Sequence, residues 1–322
     1  MALSDLTVYS EYAYNTMQEM LAYNMELFNA ASQGTLVLTS GSIQGDFSER
    51  SFWNRISGLV KRRDVYGSGS LASKKLTMNQ DVKVKLAAGT PPIEINPHEL
   101  QWIQKNPAEA GVIIGRQLAE DSMADMVTTA LTCTKAALVN VGGDVIYDAT
   151  SDSPDTLTNN ALVKGAAKFG DRSGDIRCWI VHSTPMHDFY ANALDNSHTL
   201  FTYGTVNVIA DPFGRTFIVS DSAPLITAGT PNIFWILGLT QGAVTVEGPN
   251  DYLDNINTTN GDENILRTYQ AQWTYNIGVK GFSWDTTNGG KCPTDAALAT
   301  GTNWDKYVTS IKDVAGVIVK VN

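Results

Sequence analysis

Apolar and polar positions follow three textures along the chain. From Val8 to Ala31, the residues Tyr9, Tyr12, Met17, Met20, Leu21, Met25, Leu27 and Phe28 recur at three- and four-residue spacings, the period of an amphipathic helix. A stripe of methionine and aromatic side chains predicts a packing surface, either core or subunit contact. A strict period of two appears in Gln80-Asp81-Val82-Lys83-Val84-Lys85-Leu86, the pattern of a half-exposed strand. Upstream, Leu59-Val60 runs into Lys61-Arg62-Arg63, and Gly67-Ser68-Gly69-Ser70 separates the two strand-like runs. Together they predict a long hairpin arm with a Gly/Ser-rich tip. The arm has few large apolar residues on its alternating face, so it is expected to stand clear of its own core, either as a solvated surface hairpin or as an arm that docks on an acidic surface of a neighbouring subunit.

The clearest element starts at Asn106. Asn106 is placed as an N-cap, Pro107 suits the first helical position, and Glu109 is spaced to reach back in a capping box. Helical periodicity then continues through Val112, Ile113, Leu118, Met126, Val127, Leu131 and Leu138 to Val139, and Asn140-Val141-Gly142-Gly143 supplies a stop. About 33 residues at ~1.5 Å each span on the order of 50 Å, a strut along which two lobes can be organised.

Beyond residue 143 short helices and strands alternate. Leu157–Phe169 and Pro185–Leu194 read as helices, with Ser183 or Thr184 as the N-cap of the second. Cys178–Val181, Val206–Ile209, Thr216–Val219 and Ile233–Leu239 read as buried strands, punctuated by turns such as Asp211-Pro212-Phe213-Gly214 and Asn260-Gly261. Leu266–Trp273 and Ile277–Trp284 are two further strands rich in β-formers, and Ala315–Val321 is a last one. There is no internal repeat.

Composition narrows the function classes. The 322 residues are 43% hydrophobic, enough for a large core and incompatible with a disordered chain. Mean hydropathy is −0.13, and the longest strongly apolar run, Ile233–Leu239, is far short of the ~18 residues of a membrane span. The N-terminus has neither a basic nor an apolar leader region, so no signal peptide is expected. Cys133, Cys178 and Cys292 are too far apart for a thiolate zinc site or a disulfide framework.

Charge is divided sharply. Between Glu49 and Lys85 stand nine bases, Arg50, Arg55, Lys61, Arg62, Arg63, Lys74, Lys75, Lys83 and Lys85, against the acids Glu49, Asp64 and Asp81. That segment carries +6; the remaining 14 bases and 30 acids leave −16, for a net of −10. The acidic total argues against coating nucleic acid through overall charge. A basic arm on an acidic body instead predicts intersubunit contact, with the nine bases as candidate contact residues.

Candidate chemistry is sparse. His182-Ser183-Thr184-Pro185-Met186-His187-Asp188 gathers residue types used in hydrolysis and metal binding, but the histidines are not the i, i+4 pair of a helical zinc site and no GxSxG elbow surrounds Ser183. His98 and His198 stand apart. Gly289-Gly290-Lys291-Cys292 lacks the first glycine and the Ser/Thr of a phosphate loop. Asp251, Asp254, Asp262 and Glu263 do not match a calcium loop and read as an acidic solvated loop. The sequon Asn257-Thr258-Thr259 reads as a polar loop too. No enzyme, cofactor or metal is expected.

The order of elements, with MALSDLTVYSEYAY, AAGTPPIEINPHELQWIQKNPAEAG, HSTPMHDFY, LFTYGTVNVIADPFG, GDENILRTYQAQWTYNIGVKGFSWD and TDAALATGTNWDKY, resembles the major capsid protein of tailed bacteriophages, with the Hong Kong ninety-seven-type fold. The stretches are most similar to capsid subunits of short-tailed phages of the kind that infects Bordetella. The resemblance implies an α+β fold with an N-terminal arm at 1–40, an extended loop at 41–96, a spine helix within 97–140, an axial lobe at 141–262 and a peripheral-lobe return at 263–322. It implies hexamers and pentamers of this chain in an icosahedral virion shell around double-stranded DNA, made in the host bacterial cytoplasm, with portal, scaffold and decoration proteins as further partners, only non-specific contact with DNA and no membrane. Some members of the family join neighbours by a Lys–Asn isopeptide bond; Lys74, Lys75, Lys83 and Lys85 lie on the arm, but no partner asparagine or assisting acid can be matched, so no cross-link is expected. Two alternatives stand beside this one: an encapsulin-like nanocompartment shell of the same fold, and a soluble oligomeric hydrolase using the His182–His187 region.

Overall fold

The computed structural model describes residues 3–41, 45–53, 56, 58–95, 106–195, 215–260 and 266–322. Arg55, His98, His198, Gly261, Asp262, Glu263, the expected strand Val206–Ile209 and the turn at 211–214 lie outside these residues. Helix α1 (Leu3–Ala31) buries Tyr9, Ala13, Met17, Leu21 and Met25, one residue in every four, against the spine helix α2 (Pro107–Val141). With 35 residues, the spine extends about 52 Å. Gly111 and Gly115 let the two helices touch: a Cβ at Gly111 would stand 2.6 Å from the Tyr9 carbonyl oxygen, and one at Gly115 would stand 2.4 Å from that of Ala13.

The spine begins where its sequence places it, but the capping box does not close. Asn106 makes no side-chain cap, and its amide donates instead to Glu109 Oε2 at 2.9 Å. At the other end Gly142 takes φ 78°, and its N–H bonds to the Val139 carbonyl.

Among the described residues four strands precede the spine: β1 (Leu36–Thr39), β2 (Phe47–Trp53), β3 (Met78–Gly89) and β4 (Ile93–Ile95). After it come β5 (Ile146–Asp148), helix α3 (Asn159–Ala167), β6 (Ile176–Val181), helix α4 (Ser183–Asp195), β7 (Thr216–Val219), β8 (Ile226–Thr227) and β9 (Ile233–Thr240). The chain ends with β10 (Val244–Thr259), β11 (Leu266–Val279), β12 (Phe282–Trp284), the one-turn α5 (Asp295–Leu298), β13 (Trp304–Lys306) and β14 (Gly316–Val321). Among the described residues one six-stranded sheet runs β1-β10-β11-β3-β2 with β4 on β11, a second runs β5-β14-β9-β6-β7 with β8 on β9, and β12 pairs with β13. The spine touches β10 and β11 of the first sheet and β14 of the second.

Several expectations are corrected. Leu59-Val60 is not a strand: β2 ends at Trp53, paired with Met78, and the described residues between 56 and 77 have no regular secondary structure. Nor does β3 stand clear of the core. Val82, Val84 and Leu86 are buried, and β3 packs on β12, so three medium-sized apolar residues suffice to seat it. Its opposite face carries Lys83 and Lys85, whose ammonium groups lie 2.6 Å from Glu247 and 2.6 Å from Asp251 of the same chain.

The acidic loop around Asp251 and Asp254, and the sequon at Asn257, are β10, paired with β11 at both ends and broken in register on either side of Asn250, where Asp251 falls. Leu266–Trp273 and Ile277–Trp284 are not two strands split between them: β11 continues to Val279, and the break falls at Lys280-Gly281, where Gly281 has φ 85°. Sheet pairing also cuts across the expected lobe boundaries. β14, from the segment expected to return to the peripheral lobe, sits between β5 and β9, and β10 joins the sheet of the arm. Helix α4 starts at Ser183, one residue earlier than a Ser183 cap allows. His182 Nδ1 accepts the Thr184 N–H at 3.2 Å, and Asp221 Oδ1 accepts that of Ser183 at 3.1 Å.

The Lys83–Glu247 pair is a measurable part of this packing, because the two side chains are only 11% and 18% exposed. Lys83→Ala removes a charged hydrogen bond from a poorly hydrated carboxylate and is expected to cost about 1.5–3 kcal/mol in urea unfolding of the unassembled subunit. Lys83→Met combined with Glu247→Gln is expected to recover most of that loss.

Candidate assembly interface

The nine candidate bases divide by position. Lys83 and Lys85 are engaged by carboxylates of their own chain. Arg50 is exposed on β2, directly across the ladder from Asp81. Lys61, Arg62, Arg63, Lys74 and Lys75 all lie on the exposed, extended segment between β2 and β3. Among the described residues no ion pair involves Lys61, Arg62, Arg63 or Lys75. Four bases therefore remain for outside contact.

Charge is not the main feature of this segment. Eight of the eighteen large hydrophobic side chains exposed among the described residues fall between Trp53 and Met78. Leu59 is 70% exposed, Val60 96%, Val65 72%, Tyr66 97% and Leu71 66%. Scattered single apolar residues are ordinary on a surface; here eight of them share one segment. Sequence reasoning missed these residues by taking Leu59-Val60 for strand interior. The signal was present in aliphatic and aromatic residues set among Gly, Ser and Lys, where no opposite strand of matching pattern exists.

A second aromatic group fastens α1 to its own subunit. Tyr9 meets Tyr269 edge-on with ring centroids 5.8 Å apart, Tyr14 meets Tyr252 at 4.8 Å, and Tyr252 stacks on Trp273 at 6.3 Å. Ser10 donates to Asp254, and the Tyr252 and Tyr269 hydroxyls lie 2.9 Å apart. Burial, first of all, pushes Tyr9 up to about 12. Burial likewise raises Tyr252 and Tyr269, so the hydroxyls of Tyr9, Tyr252 and Tyr269 are structural.

In the His182 region the Ser183 hydroxyl is turned to a carboxylate that caps the helix, not to a histidine. The Ser183 hydroxyl and N–H both bond to Asp221, which holds that carboxyl below its usual range, while His182 Nε2 lies 3.6 Å from Asp221. The group caps a helix. Cys133 and Cys178 are buried, with burial raising Cys178 to about 11, and Cys292 is exposed. Among the described residues no cluster of three or more His, Cys, Asp or Glu is placed to hold a metal, and no helix is long and apolar enough to cross a membrane.

Comparison with known proteins agrees with this picture of an arm-bearing structural subunit. The fold matches the cyanophage Pam1 capsid asymmetric unit at TM-score 0.51, with 11% identity over 89% of this chain and 88% of that one. Looser likenesses, both at TM-score 0.48 and 12% identity, are to Microbacterium phage Oxtober96, over 90% of each chain, and to the holo-SrpI encapsulin complex from Synechococcus elongatus PCC 7942, over 75% of this chain and 80% of that one. No curated protein matches the sequence. The family model Gp13-like, described as major capsid protein 13-like, matches residues 5–318. With the α+β architecture of the Hong Kong ninety-seven-type fold, that near-complete match identifies the chain as a member of the Gp13-like major capsid protein family, a structural protein that forms the virion shell.

Proposed function

We propose that copies of this chain form the hexamers and pentamers of an icosahedral shell around packaged double-stranded DNA, each copy reaching over a neighbour with the segment between β2 and β3. The observation that carries this reading is the exposure of Val60 and Tyr66, 96% and 97%, on a segment that also bears Lys61, Arg62, Arg63 and Lys75. A subunit folded alone leaves that surface in water; a closed symmetric shell covers it once per copy. The likeness of the sequence to short-tailed phages of the Bordetella-infecting kind supports a subunit of such a phage, made in the host cytoplasm, with portal, scaffold and decoration proteins as further partners. The acidic remainder suits a wall that contains DNA without gripping it.

Electron microscopy of the purified chain tests the reading: closed particles are expected, and small oligomers alone would overturn it. Content distinguishes a virion shell from a nanocompartment, DNA from protein cargo. In the same assay Lys61→Ala/Arg62→Ala/Arg63→Ala is expected to lower particle yield severalfold and to flatten its decline between about 50 and 500 mM salt, since steering and exposed ion pairs are screened by salt. Equal yield and equal salt dependence would remove the three bases from the contact.

A further inference from the structure

A pocket of about 430 Å³ opens where the end of α3 meets the second sheet, and none of its lining residues belongs to the segment between β2 and β3. Val163 and Ile176 contribute apolar wall; Gln33, Ser173, Arg177 and Arg215 contribute polar groups. The sheet sets the two arginines side by side. β6 and β7 run parallel with Cys178 opposite Thr216 and Trp179 opposite Phe217, so Arg177 and Arg215 stand one position before the first rung. By strand alternation both lie on the face of Trp179 and Phe217, on strands ~4.8 Å apart. The Arg215 guanidinium carbon is 5.9 Å from the Trp179 ring centroid, and its Nη2 donates to the Ser173 carbonyl at 2.9 Å. That fixes its aim.

Arg215 is only 7% exposed, whereas Arg177 is exposed. Like charges directly opposite on neighbouring strands destabilise a sheet, and an anion between them reverses the sign of that interaction. Among the described residues lining the pocket none is acidic. The acids of the adjoining turn, Gly170–Asp175, are engaged by other bases: Asp175 accepts from Arg172 Nε at 2.8 Å, and Asp171 pairs with Lys312.

Charge selects the anion. Guanidinium forks match the oxygens of carboxylates and phosphates alike. A single carboxylate neutralises one of the two arginines, whereas a phosphomonoester approaches a charge of about −2 near neutral pH. It also offers three oxygens to a pocket that holds the Gln33 amide and the Ser173 hydroxyl. The volume is that of a small-ligand site, larger than a phosphate group alone, and the wall at Val163 and Ile176 is left for the group that the phosphate esterifies.

We propose that this pocket binds the phosphate of a small phosphomonoester. A backbone phosphate of DNA has similar oxygens but a single charge, and matches the arginine pair less well. Gln33 belongs to the turn between α1 and β1, and the arginines to the second sheet, so the ligand ties that turn to the α/β lobe. The site stands independently of how shell subunits meet.

Isothermal calorimetry on the purified full-length chain tests it with three probes: inorganic phosphate, deoxyadenosine monophosphate, and a DNA duplex lacking terminal phosphates. An ionic strength of about 150 mM screens non-specific attraction. Expected are saturable binding of the monophosphate with a Kd below about 1 mM, weaker binding of inorganic phosphate in competition with it, and no binding of the duplex. Duplex binding as tight as that of the monophosphate would move the assignment to a backbone phosphate and overturn the monoester. No binding of any probe would overturn the pocket. Arg177→Ala and Gln33→Glu change exposed side chains and are each expected to weaken the monophosphate at least tenfold, with unchanged circular dichroism. The monophosphate is also expected to raise the melting temperature of the parent and not of Arg177→Ala. Parental affinity in Arg177→Ala would place the phosphate elsewhere and overturn the site.

Discussion

Replacing Leu59, Val60 and Tyr66 with serine is expected to abolish shell assembly, and to do so more completely than replacing Lys61, Arg62 and Arg63 with alanine. The reason is one of magnitude. An ion pair that stays at a wet surface contributes ~0–1 kcal/mol, and salt weakens it further. Burying a leucine or valine side chain that starts out exposed contributes up to ~1.5–3 kcal/mol, and Leu59 and Val60 begin at 70% and 96% exposure. Removing three such buried side chains from each subunit, multiplied over every arm in a closed shell, shifts the assembly equilibrium far beyond the removal of three screened charges. These side chains touch none of the subunit's own core, so the variant is expected to remain folded, with unchanged circular dichroism and urea midpoint, and to sediment as monomers or small oligomers. Sedimentation velocity and electron microscopy are the readouts. If the serine variant assembled normally while the alanine variant did not, charge would be the dominant force in the clamp after all.

That ordering reverses the emphasis that charge counting suggests, and the reversal shows what a sequence conceals here. The +6 of the arm counts Lys83 and Lys85, whose partners Glu247 and Asp251 lie more than 160 positions away and become neighbours only when β3, β11 and β10 share a sheet. The helices and the central strands were legible because each follows its own period: α1 and α2 every three or four residues, and β6, β9 and β14 as apolar runs. β10 was not, because its outer half follows no hydrophobic period. Tyr252, Asp254 and Ile256 turn towards the subunit, and two of the three are met by Tyr14 and Ser10 of α1 rather than by a greasy core. A strand satisfied by hydroxyl and aromatic contacts reads as a polar loop until the helix that covers it is known.

The two glycines of Gly111-Val112-Ile113-Ile114-Gly115 place the N-terminal helix, and Gly111→Ala with Gly115→Ala is expected to detach it. In both cases the added methyl would meet backbone, the carbonyl oxygens of Tyr9 and Ala13 at 2.6 and 2.4 Å, so no side-chain rotation relieves the contact. The helices must separate. Overpacking of a tight contact costs about 1–3 kcal/mol per site, and with two sites one turn apart on the same helix a loss on the order of 4 kcal/mol is expected in urea unfolding of the unassembled subunit. Alanine has the higher helix propensity by ~0.8–1.0 kcal/mol per residue, so the spine itself gains from the change. A net loss therefore isolates helix contact from helix formation. Detachment also uncovers Tyr9, Met17, Leu21 and Met25, all buried in a helix that packs on the spine, β1 and β10. Limited proteolysis is accordingly expected to cut within residues 8–31 in the double variant and to spare them in the parent. Without α1, Tyr252 loses Tyr14 and Asp254 loses Ser10, so amide exchange is also expected to rise along the outer half of β10. Were the variant as stable and as protease-resistant as the parent, the close crossing of the two helices would not be what seats the N-terminal arm.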